Sequence, residues 1–115
     1  MTRKETEMTI TERKQMRGGT GTAEILHIVD SHTLNHARLF AKITLPEGAS
    51  IGKHIHDKET EYYYILQGNG IVEEADGEKK VAAGDVVITG NGASHSIKNT
   101  KTTPLVFLAV IILDD

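Results

Sequence analysis

Cysteine and tryptophan are absent from this chain of 115 residues, which also has only two prolines, two phenylalanines and three tyrosines. Without cysteine the chain can form no disulfide, and it can offer a metal ion only nitrogen and oxygen ligands. Long apolar runs are missing as well. The longest, from Leu105 to Leu113, is far shorter than the roughly 20 residues that a membrane-spanning helix needs.

An excess of positive charge is also missing. The chain has 13 basic and 16 acidic residues, which gives a net charge of −3. It therefore has neither a basic stripe for nucleic acid nor a polybasic anchor for a membrane surface. The N-terminal residues are charged and have no apolar segment, so we expect no signal peptide and a cytoplasmic protein.

The first 17 residues are polar and mixed in charge, and they predict a flexible N-terminal tail or a short arm. Gly18, Gly19 and Gly21 then interrupt the chain, and we expect one folded domain over residues 18–115. A domain of this length can enclose a hydrophobic core of its own, whereas the chain is too short for two such domains.

Short strands separated by turn residues dominate the folded part. The segment from His36 to Leu45 alternates apolar and polar positions, and Asp76-Gly77 is a strong hairpin signal. No stretch of ten residues has a helical period, and the only helix candidates are Thr11 to Met16 and Ser31 to Asn35. The pattern predicts an all-β sandwich or barrel with few or no helices.

Four side chains are candidate metal ligands: His54, His56, Glu61 and His95. Alternation along a strand points His54 and His56 to the same side, about 6.6 Å apart. Glu61 opens the next strand and can face them, while His95 can reach them only if the sheet closes. An H-x-H pair alone is weak evidence, but imidazoles with a carboxylate suit one divalent ion of Mn, Fe, Co, Ni, Cu or Zn.

Two glycine-framed motifs contain these ligands. The first is G-x5-H-x-H-x4-E-x6-G from Gly48 to Gly68, and the second runs from Gly84 to Asn99 around His95. The chain resembles the cupin superfamily, of the small single-domain cupin 2 type, at nine of ten fixed motif positions. Gly90 stands where that family usually has proline. Glycine loosens the turn, but we expect the turn to survive because Asn91-Gly92 follows.

The resemblance implies a double-stranded β-helix, or jelly-roll, barrel whose metal is held by the three histidines and the glutamate. It also implies a metal-dependent enzyme acting on a small organic molecule, of the dioxygenase, decarboxylase or sugar or keto-acid isomerase type. A non-catalytic module that binds or senses a small molecule or metal is the alternative. Fold alone does not choose between them.

Two further residues are weak catalytic candidates. Tyr63 faces the barrel interior by alternation from Glu61 and could offer its hydroxyl to a ligand, although core packing explains it as well. Glu59 lies beside the ligands and could exchange protons, although a carboxylate in a loop is usually solvated.

A homodimer is also expected. The last strand, Leu105 to Leu113, is apolar on both faces, so its outer face needs a cover. Phe40 shares an outward face with Arg38 and Lys42, which hints at an interface. Compact single-domain cupins, which this chain resembles, are commonly dimers.

Overall fold

The fold consists of ten antiparallel strands, and the computed structural model describes all 115 residues. In chain order the strands are β1 (Thr9–Lys14), β2 (Thr22–His27), β3 (Ala37–Leu45), β4 (Ser50–Ile55), β5 (Glu59–Gln67), β6 (Asn69–Glu74), β7 (Gly77–Ala82), β8 (Val86–Gly90), β9 (Ser94–Lys98) and β10 (Leu105–Leu113). The only helical segments are three short 3-10 turns, at Glu5–Glu7, Met16–Gly18 and Ser31–Thr33. The predicted all-β class is therefore confirmed.

Two sheets face each other as a jelly-roll. The larger sheet has the order β1-β2-β3-β10-β5-β8, and the smaller has the order β4-β9-β6-β7. Alternating apolar side chains from both sheets meet between them and form one core of 15 buried residues. At the centre of that core lie Leu45, Ile97 and Phe107, none of which is exposed to solvent.

The N-terminal segment, for which the composition predicts a flexible tail or a short arm, contains a strand. Thr9–Lys14 forms strand β1, which pairs along its whole length with β2 at the edge of the larger sheet. All six of its residues are nevertheless exposed, since no second sheet covers them. The polar composition did not predict this strand, because an edge strand is held by backbone hydrogen bonds to its neighbour and can lack an apolar face.

The helix candidates are corrected in the same region. Thr11 to Met16 lies mostly in β1, and only Met16–Gly18 forms a 3-10 turn. Ser31–Thr33 is a single 3-10 turn rather than a helix. No helix is long and apolar enough to cross a membrane.

The strand pairings bring the two sequence motifs together. His54 in β4 pairs directly with His95 in β9, and the β4–β9 register shifts between Ile51 and His54. This bulge lets both Ile51 and His54 point inward, although they are three residues apart. β5 lies in the opposite sheet, where it is hydrogen-bonded between β10 and β8. The four candidate ligands are therefore drawn from both layers of the fold.

Candidate metal centre

The four candidate ligands converge inside the barrel. Their ligand atoms all lie within 4.8 Å of one another. His54 lies near the end of β4 and His56 directly follows that strand, while Glu61 comes from β5 and His95 from β9. His56, Glu61 and His95 are buried, and His54 is half-buried at the edge of a cavity. The structure therefore assembles the group that the sequence predicts.

Short distances separate the donor atoms. His95 Nε2 lies 3.1 Å from Nε2 of His54 and 3.1 Å from Nε2 of His56. Oε1 of Glu61 lies 2.8 Å from His56 Nε2, 3.0 Å from His95 Nε2 and 3.7 Å from His54 Nε2. Neighbouring ligands of an octahedral ion with bonds of about 2.1 Å stand about 3.0 Å apart.

The other ring nitrogen of each histidine is already occupied. Nδ1 of His54 donates to the carbonyl oxygen of Gly52 at 2.7 Å, and Nδ1 of His95 lies 2.8 Å from the hydroxyl of Thr89. A carbonyl oxygen can only accept, so the proton of His54 must sit on Nδ1. In a neutral ring this arrangement leaves Nε2 as a lone pair aimed at the centre.

The donor set fits a metal ion for this reason. When all three rings carry their proton on Nδ1, three ring lone pairs and one carboxylate oxygen point at one another in a buried space, which is repulsive unless they share a cation. A single proton can join only two of these atoms, whereas one ion contacts all four. Nitrogen and oxygen donors of this kind suit a divalent first-row ion. The four residues could therefore hold one such ion.

The charge of Glu61 is favoured within the cluster. Burial by itself would raise the pKa of Glu61, but the adjacent rings of His54, His56 and His95 outweigh burial and hold that pKa well below its usual range. The carboxylate therefore stays ionised, as a metal ligand must. Burial lowers the pKa of His95, which keeps its ring neutral, although Glu61 opposes the effect.

Glu59 contacts the four-donor group through His56, on the side of the ring that faces away from the other donors. It accepts two hydrogen bonds from Arg38, from Nε and Nη2 at 2.7 Å each, and its Oε2 accepts one from Nδ1 of His56. The Arg38 hydrogen bond, reinforced by His56, lowers the pKa of Glu59 to about 2. Burial by itself would lower the pKa of His56. The hydrogen bonds of His56 to Glu61 and Glu59 outweigh burial, so the pKa of His56 is raised.

The expectation that Glu59 is a solvated loop carboxylate is wrong. Glu59 is the first residue of β5 and is only 8% exposed. Its two oxygens are committed to Arg38 and His56, so the geometry makes it a residue that orients a ligand. A proton-exchange role for Glu59 stays a prediction. Both of its carboxylate oxygens already accept hydrogen bonds, which does not favour that role.

Tyr63 faces the interior, as alternation predicts, and is 1% exposed. Its ring stacks on His95 with centroids 4.8 Å apart and packs against Phe107. Burial raises the pKa of Tyr63 well above its ordinary value, and the nearby charge of Glu61 adds to that increase. The ring therefore supports a candidate ligand, while a catalytic role for its hydroxyl stays a prediction.

A cavity of about 390 Å³ opens onto three of the four donors, His54, His56 and Glu61. Arg13, Arg17 and Arg38 line it, together with His27, and Glu61 is its only carboxylate. Sequence reasoning missed these arginines, and the prediction that Arg38 shares an outward face with Phe40 is wrong, because Arg38 lines the cavity and pairs with Glu59. Arg13 and Arg17 lie in the segment for which a tail or arm was predicted, and Arg38 lies on the strand before the first motif, outside both motifs.

Comparison with known proteins identifies the family. The sequence model described as "Cupin domain" matches residues 41–111, which includes all four candidate ligands. An oxalate-binding protein of Thermotoga maritima is 47% identical over 108 residues, covering 93% of this chain and 89% of the relative.

Solved structures agree on the fold. A predicted oxalate decarboxylase of Thermotoga maritima has a TM-score of 0.92 and 46% identity, covering 98% of this chain and 99% of that one. A cupin 2 conserved barrel domain protein of Rhodopseudomonas palustris has a TM-score of 0.76 at 18% identity, covering 94% and 74%. The second similarity concerns the fold alone.

Proposed function

Because the chain belongs to the cupin family, we propose that it is a metal-dependent binding protein for a small dicarboxylate of the oxalate class. The observation that carries the proposal is one cavity with two complementary features. Three members of the four-donor group that suits a divalent ion, His54, His56 and Glu61, line this cavity, and three arginines line it as well. His54, His56, Glu61 and His95 are the residues that would hold the ion.

The charge of the cavity favours an anion. Arg13, Arg17 and Arg38 bring positive charge to its wall, and the one carboxylate, Glu61, belongs to the donor set. A neutral sugar would leave Arg13 and Arg17 without charged partners, whereas a carboxylate pairs with a guanidinium through two parallel hydrogen bonds. The cavity therefore suits a small acid better than a neutral substrate of isomerase type.

A bound divalent ion would act as a Lewis acid for carboxylate oxygens. The protein's own part is to orient and to exclude water. Glu59 and Thr89 fix the rings of His56 and His95, while Ile43, Ile51 and Ile111 close the apolar wall of the cavity. The relative described as an oxalate-binding protein supports oxalate as the first ligand to test.

Decarboxylation is the second candidate, because a 46% identical structure is described as a predicted oxalate decarboxylase. Cleaving the carbon–carbon bond of hydrogen oxalate gives carbon dioxide and formate, and the new C–H bond requires a proton. The cavity wall offers no carboxylic acid outside the donor set, and the buried hydroxyl of Tyr63 has a raised pKa. Binding without turnover is therefore the function that the site supports better.

Metal analysis and thermal unfolding test the proposal together. We expect untagged protein made in metal-balanced medium to hold about one divalent ion per chain, and His54→Ala to lose it. With metal present, oxalate at about 100 times its Kd should stabilise the protein by about 2.7 kcal/mol, which raises the Tm by about 10 °C. His32→Ala, which removes an exposed histidine outside the cavity, is the matched control.

A formate assay separates the two candidates. Oxalate binding without formate supports a binding protein, and formate at many turnovers per chain supports the decarboxylase. Wild-type protein that holds no metal, or metal-loaded protein that oxalate does not stabilise, would contradict the proposed function. The homodimer and the cytoplasmic location stay predictions.

A further inference from the structure

The mouth of the cavity is formed by the N-terminal arm, which we define as residues 9–19. Two residues of β1 line the cavity: Thr11, which pairs with the buried Ile25 of β2, and Arg13, which pairs with the buried Ala23. Opposite residues of antiparallel strands share a face of the sheet. Thr11 and Arg13 therefore lie on the inner face of β1, and Lys14 lies on its outer face.

The turn that follows β1 holds Arg17 at the same opening. Gln15 and Arg17 both adopt left-handed backbone conformations, with φ of 49° and 56°. Such conformations are uncommon for residues other than glycine and require support from their surroundings. The half-buried Met16 between them packs against the core.

Close backbone packing supplies that support. A Cβ atom on Gly19 would lie 2.3 Å from the carbonyl oxygen of Ser50, and one on Gly52 would lie 2.2 Å from the carbonyl oxygen of Arg17. Only glycines allow the arm to approach β4 this closely. The amide of Gln15 also donates to the carbonyl oxygen of Gly21 at 2.8 Å. Arg17 is therefore held against the strand that contains His54.

Neither arm arginine has a partner within the chain. Arg38, the third cavity arginine, is paired with Glu59, whereas Arg13 and Arg17 take part in no ion pair and no side-chain hydrogen bond. The inner face of β1 carries no acidic residue, because Glu12 faces outward opposite Glu24. Two guanidinium groups thus line the cavity with their hydrogen-bonding capacity unused.

We propose that Arg17, with Arg13, determines ligand specificity by binding the outer carboxylate oxygens of a small dianionic acid whose inner oxygens face the donor set. This inference rests on the proposed function and adds the selection of a dianion over a monoanion.

Titration calorimetry on the full, manganese-loaded chain tests the proposal with two ligands, oxalate and oxamate. Oxamate replaces one carboxylate by an amide of the same shape, so it has one charge fewer. A metal ion prefers the dianion by itself, and the informative quantity is therefore the ratio of the two Kd values in each variant. We expect Arg17→Gln to weaken oxalate about tenfold and oxamate less than threefold.

Arg13→Gln combined with Arg17→Gln should lower the ratio of the oxamate Kd to the oxalate Kd further than Arg17→Gln does, leaving only the preference that the metal ion supplies, and should flatten the dependence of oxalate affinity on salt. Lys14→Gln is the matched control, since it removes one charge from the outer face of the same strand. Metal content is measured for every variant. The expected result is a wild-type content of manganese in all of them.

Three outcomes would overturn the proposal. One is that the double variant keeps the wild-type ratio, and a second is that Lys14→Gln lowers the ratio as much as Arg17→Gln does. In both cases the proposed function stands as long as wild-type protein binds oxalate and His54→Ala does not. The third is loss of metal from the Arg17 variant, which would assign the residue a structural role. If metal-loaded wild-type protein binds neither ligand, the proposed function fails as well.

Discussion

Oε2 of Glu59 lies 2.5 Å from Nδ1 of His56, and the same carboxylate accepts two hydrogen bonds from Arg38. The ring of His56 is therefore fixed by an ion pair that lies outside the donor set. A carboxylate behind a metal-binding imidazole sets its tautomer and raises its basicity. This relationship makes Glu59 testable independently of the four donors.

Glu59→Gln should lower metal affinity by about 10- to 100-fold without removing any candidate ligand. The amide keeps the shape of the side chain but loses the charge that pairs with Arg38 and with the His56 N–H. Competition with a chromophoric chelator measures the affinity. Glu47→Gln, which alters an exposed turn carboxylate far from the cavity, serves as the control. Equal metal affinity in Glu59→Gln and wild type would show that Glu59 does not support the site.

Tyr63 offers a test that separates packing from chemistry. We expect Tyr63→Phe to keep metal and oxalate affinity within about twofold, because the ring still stacks on His95 and packs against Phe107. Tyr63→Ala should destabilise the fold by about 3–5 kcal/mol by leaving a cavity, measured by urea unfolding. A large loss of ligand affinity in Tyr63→Phe, with metal content unchanged, would instead assign a role to the hydroxyl.

Gly90 replaces the usual motif proline, and the structure gives a steric reason for the glycine. A Cβ atom at this position would lie 2.5 Å from Oγ1 of Thr60, its partner across the β5–β8 pairing. The neighbouring turn is retained, with the amide of Ala93 donating to the carbonyl oxygen of Gly90 at 3.0 Å. The side chain of Thr60 thus occupies the space that a larger residue 90 would need.

Gly90→Ala should therefore destabilise the protein by about 1–3 kcal/mol through overpacking. Thr60→Ala removes the hydroxyl, and the double variant should recover part of the loss. The free energies of unfolding of the two single variants and the double variant form a cycle that measures this coupling. Strictly additive effects would contradict the steric explanation.

The four candidate donors were predictable from the sequence, because three of them lie close together in the chain and the fourth lies in a recognisable motif. His54 and His56 share a short segment, Glu61 follows within one strand, and the motif spacing around His95 resembles that of a known family. The bulge between Ile51 and His54 was not predictable, because a register shift depends on the pairing with β9 rather than on the sequence of β4 alone.

The residues around the donors were less predictable, for a physical reason. Arg38 and Glu59 lie 21 positions apart and meet only because β3 and β5 both flank β10 in one sheet. Arg13 lies in a polar segment whose exposure resembles that of a tail. Exposed, polar strands at the edge of a sheet lack the regular alternation of apolar residues from which strands are predicted, so the contacts they make could not be predicted either.

The outer face of the larger sheet carries a continuous apolar surface. Tyr62 and Tyr64 of β5 lie beside Val86 and Ile88 of β8, and the outward side chains of β10 continue the surface. Most of these side chains are exposed, including Ile88 at 58%. The second sheet covers the opposite face of these strands, so the outer face of β10 has no cover within the chain. Apolar surfaces of this kind commonly mark interfaces between proteins.

The predicted homodimer would bury this surface, and Ile88→Lys tests it. A charge placed in an apolar interface loses its hydration without gaining a partner, so the variant should dissociate. Light scattering during size exclusion should give twice the 12.6 kDa chain mass for wild type and a single chain mass for the variant. Ile55→Lys is the matched control, since Ile55 is 65% exposed on the smaller sheet and should leave the dimer intact. A wild-type protein that elutes as a single chain at about 100 µM, or an Ile88→Lys variant that stays dimeric, would contradict this assignment of the interface.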